Sequence, residues 1–121
     1  MAVNVDGRTE FIDDKWDITF SYKKNSLIGL SKAKNEELGL ELEITDVVHK
    51  YIPVYIRKIN VKNLFNKKRD VKLFFYHDFA LNETEVGNTA LFHPELNGIV
   101  HYKWNTYLLI SIFPDPFEFT V

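Results

Sequence analysis

The sequence contains no cysteine, which excludes disulfide bonds, thiolate metal ligands and thiol nucleophiles. It also lacks an uninterrupted apolar run of about 20 residues, the length that a membrane-spanning helix needs. The first residues show no positively charged segment followed by an apolar one, as a secretion signal would. We therefore expect no membrane partner and predict a cytoplasmic location.

Neither sign of charge dominates the chain. Lys and Arg number 15 against 17 Asp and Glu, a net charge of −2, and the two signs are interspersed along the sequence. The densest basic run, residues 66–69, has a composition typical of a solvated hairpin tip. We therefore do not expect nucleic acid as a partner.

Aromatic and aliphatic residues are plentiful. Hydrophobic residues make up 45% of the 121 residues, and ten Phe and six Tyr are among them. This composition favours a folded core over a disordered chain. The length suits one core rather than two, so we predict a single domain over residues 1–121.

The dominant hydrophobic period is two, which predicts strands rather than helices. Residues 39–45 alternate strictly between apolar and polar side chains, as a strand with one buried face requires. Residues 54–61 change phase, which predicts either a bulge near Arg57 and Lys58 or burial on both faces. No window of eleven residues carries a helical stripe.

Other segments rich in aromatic and β-branched residues are predicted strands. They are residues 16–22, 27–34, 71–81, 89–92, 99–104 and 107–113. Pro114 and Pro116 should end the last of these strands, and residues 117–121 alternate as though another begins. Short strands at roughly ten-residue spacing predict an all-β fold, an antiparallel β-sandwich of about seven to nine strands with little or no helix.

His77 and Asp78 are the most conspicuous polar pair within an apolar run. On a regular strand over residues 71–81, neighbouring side chains point to opposite faces, so the two cannot form a catalytic dyad. His77 shares its face with apolar residues and is predicted to be a core histidine. The other histidines, His49, His93 and His101, lack ligand spacing, and no nucleotide or nucleophile motif is present. We predict no catalytic residue, no metal site and no cofactor.

Two further groups of side chains are candidates for contact with a ligand or partner. Glu83 and Glu85 lie in a polar segment between core strands, where binding sites often occur, although a plain loop is the simpler interpretation. Exposed aromatic rings could stack on sugar rings, and the candidates are Trp16, Tyr102, Trp104 and Tyr107. Core packing remains the alternative for each ring.

Several segments together resemble one known protein region. They are residues 5–8, 11–16, 35–43, 73–79 and 99–103. In this order they resemble the N-terminal β-sandwich domain of prokaryotic glucoamylases and glucoamylase-related trehalases, glycoside hydrolase family fifteen. The resemblance implies an interior piece of a larger, supersandwich-like domain, because the family's sandwich extends on both sides of the matched region.

The resemblance also implies that catalysis in the parent enzymes belongs to a different domain from the matched one. The parent enzymes hydrolyse α-linked glucosides with inversion, but their catalytic glutamates belong to a separate helical barrel that has no counterpart in this sequence. The chain itself is therefore expected to be a non-catalytic structural or interaction domain in which Asp78 orders a loop or interface.

Missing strands would leave sheet edges or faces exposed, so we expect self-association into a homodimer or larger assembly. A free-standing carbohydrate-binding module that uses Trp16, Trp104 or Tyr107 is the main alternative. An independent hydrolase that uses Glu83 or Glu85 is a weaker one.

Overall fold

A computed structural model describes residues 1–115 and 118–121. Its contacts divide the chain into two compact units, Met1–Tyr76 and His77–Val121. Within the described residues there are ten strands, all paired antiparallel, and one short 3₁₀ turn. The all-β fold class is thus confirmed, with slightly more strands than expected. A single domain over residues 1–121 stays a prediction.

The first unit contains seven strands in two sheets. They are β1 (Ala2–Val5), β2 (Arg8–Phe11), β3 (Asp17–Tyr22), β4 (Gly29–Asn35), β5 (Leu40–Val48), β6 (Tyr55–Asn63) and β7 (Val71–Phe74). One sheet has the order β2-β1-β7 and the other the order β3-β4-β5-β6. The predicted alternation over residues 39–45 is confirmed, because Leu40, Leu42 and Ile44 are buried in the core of this unit.

The alternation leaves a polar face on the opposite side of the four-stranded sheet. Glu41 lies on that face and is itself 7% exposed. Its carboxylate forms ion pairs with Lys32 on β4 at 2.8 Å and with Lys62 on β6 at 3.2 Å. The side-chain hydrogen bond from Lys32 is the main reason that the pKa of Glu41 lies below its usual value. A cross-strand ion network therefore covers this face.

The bulge predicted near Arg57 is absent. Strands β5 and β6 pair without interruption from Leu40 opposite Asn63 to Val48 opposite Tyr55. Burial on both faces is not observed either, since Ile56 is 51% exposed. Ile59 and Val61 lie opposite the core residues Ile44 and Leu42, whereas Ile56 lies on the other face of β6. The phase changes because β6 extends beyond the covered part of the sheet, where its apolar residues need not face the core.

The hairpin formed by β1 and β2 was not predicted as strands. Its turn consists of Asp6 and Gly7, both with positive φ, which is the backbone that a two-residue hairpin turn requires. Arg69 donates to the Asp6 carboxylate at 3.0 Å, and the Asp70 amide donates to its other oxygen at 3.1 Å. These bonds, the one from Arg69 foremost, lower the pKa of Asp6.

The second unit contains one sheet with the order β10-β9-β8. Its elements are the 3₁₀ turn Leu81–Glu83, β8 (Thr89–His93), β9 (Gly98–Lys103) and β10 (Thr106–Ser111). The long strand predicted over residues 71–81 is wrong beyond Phe74, where β7 ends. Strand β10 ends before Pro114. Pro116 and residue 117 lie outside the described residues, and part of the prediction for residues 114–121 rests on them. In the described part of the chain, no helix is long and apolar enough to cross a bilayer.

Candidate functional site

A cleft of about 350 Å³ opens on the second unit. Because β7 ends at Phe74, the segment that follows it leaves the sheet and forms one wall of this cleft. The lining residues are His77, Asp78, Phe79, Glu85, Asn88, Thr89, Ala90 and His101. The cleft therefore gathers two imidazoles, two carboxylates and a phenyl ring.

Three rings form a continuous wall of the cleft. The His77 and Phe79 rings are nearly parallel, with centroids 5.5 Å apart, and Phe79 meets His101 edge to face at 5.0 Å. The prediction that His77 is a core residue is wrong, because its side chain is exposed. The strand argument that separated His77 from Asp78 does not apply either, since both residues line the same cleft.

Asn88 holds the segment that forms the cleft. Its amide nitrogen donates to the Phe79 carbonyl at 2.7 Å and to the Thr84 carbonyl at 3.2 Å. Its side-chain oxygen is buried and has no hydrogen-bond partner among the described residues. A buried acceptor without a partner is costly, and here that cost accompanies the two bonds by which the Asn88 amide nitrogen holds the segment.

Lys103 fastens the same segment to the sheet. The lysine is 2% exposed, and its ammonium donates to the Thr84 carbonyl at 2.7 Å and also to the Thr84 hydroxyl. A buried cation requires such partners, because burial removes its hydration. The adjacent residues Asn82 and Glu83 both adopt positive φ, so the turn beside Thr84 is held in a conformation that non-glycine residues rarely adopt.

The β9–β10 hairpin presents exposed aromatic rings. Trp104 occupies the first position of its two-residue turn with φ of 54° and is 79% exposed. Tyr107 is 68% exposed, and its ring is nearly parallel to that of Tyr102, with centroids 5.9 Å apart. Positive φ at a bulky residue such as Trp104 is strained, and such strain is concentrated at functional sites.

Trp16 lies in a different environment from the other candidate rings. It is 4% exposed within the core of the first unit, and its indole nitrogen donates to the Phe11 carbonyl at 3.1 Å. A buried ring offers no face for stacking on a sugar, so the structure assigns Trp16 the core-packing alternative. Trp104 and Tyr107 remain candidates.

The predicted acidic contacts separate into two groups. Asp78 and Glu85 line the cleft, whereas Glu83 is not among its lining residues. Their roles in contact with a ligand or partner stay predictions. Within the part of the chain that the structure describes, no three His, Asp or Glu side chains are grouped so that they could hold a metal ion.

Several residues of the site carried no distinctive sequence signal. Lys103 looks like any lysine at a strand end, and Asn88 like any turn residue before a strand. His101 and Phe79 both lie within apolar patterns that predict strands; His101 lies in β9, whereas Phe79 follows the end of β7. Only the end of β7 brings them to one cleft, and that end is not visible in the alternation of residues 71–81.

Comparison with known proteins gives one informative match. The chain is 36% identical over 80 residues to a protein of Methanocaldococcus jannaschii named as an uncharacterized glycosyl hydrolase. The matched region is 66% of this chain but only 13% of that protein. No family model matches the chain, and no solved structure matches it. The similarity supports a glycosyl-hydrolase-related origin.

Proposed function

We propose that the chain is a non-catalytic structural and interaction module related to glycosyl hydrolases, and that it associates with protein through one half of a sheet face. The observation that carries this proposal is the uneven coverage of the four-stranded sheet in the first unit. One half of its core-facing side is buried, and the other half exposes large side chains. We call the exposed half, formed by Phe20, Tyr22, Val48, Tyr55 and the pair Asp46 and Arg57, the open half.

The open half continues the same face as the core. The registers place Phe20 in one cross-strand row with Ile44 and Ile59, which contribute to the core. Phe20 is nevertheless 78% exposed and Tyr22 74% exposed. Large aromatic side chains exposed on the core-facing side of a sheet are typical of an interaction site rather than of a free surface.

The polar residues of the open half are already paired. Asp46 accepts hydrogen bonds from the Tyr55 hydroxyl at 2.6 Å and from Arg57 at 2.7 and 3.1 Å. The bond from Arg57 is the main reason that the pKa of Asp46 is lowered. A partner can therefore cover this surface without leaving an unpaired charge, and Tyr and Arg are enriched at protein interfaces.

Similarity to a much longer protein suggests that other parts of such a protein cover the open half there. The chain spans only 13% of the glycosyl hydrolase that it matches, so protein outside the matched region is available there. In that setting the module would support a catalytic barrel, as the resemblance to glycoside hydrolase family fifteen implies. For the chain by itself we propose a second copy as the partner.

Sedimentation velocity on the purified chain tests this proposal. We expect association at micromolar concentration, and the substitution pair Phe20→Ser and Tyr22→Ser should shift the equilibrium toward monomer by at least tenfold. Tyr107→Ser removes a comparably exposed aromatic from the second unit and should leave association unchanged. A wild-type chain that stays monomeric, or a Tyr107→Ser variant that dissociates equally, would contradict the proposal.

The same preparations test the absence of catalysis. We expect no release of glucose from maltose or trehalose above that of a buffer control. Hydrolysis by the wild type that is abolished by Glu85→Gln would instead identify an independent hydrolase.

Carbohydrate binding is a second candidate function, favoured by the cleft and the exposed hairpin of the second unit. The cleft volume of about 350 Å³ falls within the range of small-ligand sites. Trp104 and Tyr107 add exposed rings on which a sugar could stack.

Fluorescence titration with maltooligosaccharides tests this second candidate. Trp104 is exposed and Trp16 buried, so a saturable change in emission should disappear in Trp104→Phe. The control Trp16→Phe should retain the response. No saturable response, or one that survives loss of Trp104, would count against binding at the hairpin.

A further inference from the structure

We infer that two copies of the chain pair edge to edge through β3, antiparallel and with Phe20 opposite the partner's Phe20, which joins their four-stranded sheets into one continuous sheet. This inference rests on the proposed association through the open half, because it specifies which strand makes the contact and in which register. Phe20 and Tyr22 belong both to β3 and to the open half.

The first argument is that β3 is a free sheet edge. Among the described strands it pairs only with β4. The Lys23 amide donates at 2.9 Å to the carbonyl of Ile28, the residue that lies opposite it when the β3–β4 register is continued. Because hydrogen-bonded pairs alternate along an antiparallel ladder, the backbone groups of every second residue point away from β4 and can bond a further strand. These outward residues are Ile18, Phe20 and Tyr22.

The second argument is the contrast between the two edges of this sheet. The opposite edge, β6, carries Arg57, Lys58 and Lys62 and no acidic residue. Positive side chains along an edge are a recognised device against pairing with another chain. The central stretch of β3, residues 18–22, carries no charge and consists largely of aromatic and β-branched residues, which favour strands. Of the two edges, β3 is therefore the one open to pairing.

The third argument is charge, which selects the register. With Phe20 opposite the partner's Phe20, Asp17 lies opposite the partner's Lys23, and the two-fold symmetry forms this pair twice. The nearest registers that keep outward backbone groups opposite each other are centred on Thr19 or Ser21, and both remove these pairs. Opposite charges directly across an antiparallel pair stabilise it. The register centred on Phe20 is therefore favoured.

Asp17 and Lys23 are both available for this pair. Both are exposed, and neither forms a salt bridge with a described residue. Within its own sheet Asp17 lies opposite Lys34, whose ammonium forms its salt bridge with Glu36 at 2.7 Å. Pairing between copies therefore adds two ion pairs without breaking one.

The same register brings side chains of the open half together on the core-facing side. Phe20 lies beside the partner's Phe20, and Tyr22 lies beside the partner's Ile18. Aromatic pairs and aromatic–β-branched pairs stabilise adjacent strands. Because Phe20 and Tyr22 are 78% and 74% exposed in the single chain, pairing through β3 shields rings that define the open half.

Charge reversal, measured by sedimentation velocity, tests the register. We expect Asp17→Lys to weaken association about tenfold, because two attractive pairs become repulsive. Adding Lys23→Asp should restore the wild-type association constant. The matched control adds Lys24→Asp instead, which gives the same net charge at a residue that does not lie opposite Asp17, and it should stay weak. Unchanged association in Asp17→Lys, or equal restoration by both double variants, would overturn the inference.

Disulfide cross-linking is a second measurement, made possible because the sequence contains no cysteine. The register places Thr19 opposite the partner's Ser21 as a non-hydrogen-bonded pair, with a Cα separation of about 4.5 Å that a disulfide can span. An oxidised mixture of Thr19→Cys and Ser21→Cys chains should form the mixed dimer, and each variant alone should not cross-link. Cross-linking of Thr19→Cys to itself, or to a Lys58→Cys chain through β6, would overturn the register or the strand.

The outcomes separate this inference from the function on which it rests. A chain that associates but shows neither the mixed cross-link nor the charge rescue would overturn pairing through β3, while association through the open half would stand. A wild-type chain that stays monomeric in sedimentation would overturn both.

Discussion

Two halves of one sheet face in the first unit differ sharply. At one half, Leu40 and Leu42 are fully buried beneath the three-stranded sheet. At the other, Phe20 and Tyr22 lie on the same side of the same sheet and are mostly exposed. Phe20 and Tyr22 are as suited to a core as Leu40 and Leu42, so coverage separates these residues, although the open half also carries the Asp46–Arg57 ion pair.

This difference shows that strand pattern and burial are separate properties. Alternation determines which side chains share a face, but burial depends on whether a second layer lies above that face. In the covered half the apolar side chains stabilise the unit. In the open half the same type of side chain is available to a partner.

Leu42→Ala should have the largest effect, because it creates a cavity in the covered half. We expect the free energy of unfolding to fall by about 3 kcal/mol. Urea denaturation followed by circular dichroism would measure it. A loss below about 1 kcal/mol would mean that the covered half is not a packed core.

Gly39→Ala should have the next largest effect, at the turn that ends the covered half. Gly39 has φ of 63°, and a Cβ there would lie 2.7 Å from the Phe65 ring. We expect a loss of about 2 kcal/mol, from backbone strain and from this clash. Gly7→Ala is the matched control, since Gly7 also has positive φ but no atom within 4 Å of an added Cβ. It should cost about 1 kcal/mol, and equal losses would show that the Phe65 contact is unimportant.

Asp46→Asn tests the ion pair of the open half and carries a pH dependence. Because Arg57 lowers the folded-state pKa of Asp46, the pair stabilises the fold above the unfolded-state pKa of about 4, and this contribution is lost as the pH falls through the lowered pKa. We expect the variant to lose about 0.5–1 kcal/mol at pH 7 and progressively less below pH 4. Denaturation midpoints of the wild type and the variant at pH 7 and below pH 4 would measure this loss of stability. A loss that stays the same at low pH would contradict a stabilising Asp46–Arg57 ion pair.

Phe20→Ala should have the smallest effect on the stability of the monomer. Its side chain is 78% exposed, so we expect a change within about 0.5 kcal/mol under dilute conditions. Denaturation of both variants at nanomolar protein concentration would compare the stability lost in Phe20→Ala with that lost in Leu42→Ala, and so the two halves. A loss close to that of Leu42→Ala would show that Phe20 belongs to the core.

Sequence reasoning predicted the covered half well. The alternation around Leu40 and Leu42 indicates one buried face, and both side chains are fully buried in the structure. The β1–β2 hairpin was missed because each strand has only four residues, although Asp6 and Gly7 form a recognised turn signal.

The candidate site was much harder to predict. Residues 75–81 alternate like a strand, yet β7 ends at Phe74, and His77 is exposed and lines the same cleft as His101. The burial of Lys103 depends on the position of Thr84, which no local pattern encodes. The sequence around Trp16 is compatible with either core packing or sugar stacking, and only the tertiary packing decides between them.

Hydroxyl-radical footprinting across a concentration series tests the central claim most directly, because it reports the exposure of individual aromatic rings. If the open half is an interface, Phe20 and Tyr22 should react readily at nanomolar concentration and become protected at tens of micromolar, while Tyr107 stays reactive throughout. Unchanged reactivity of Phe20 and Tyr22 in a sample that sedimentation shows to be associated would contradict the account, since the contact would then lie elsewhere on the chain.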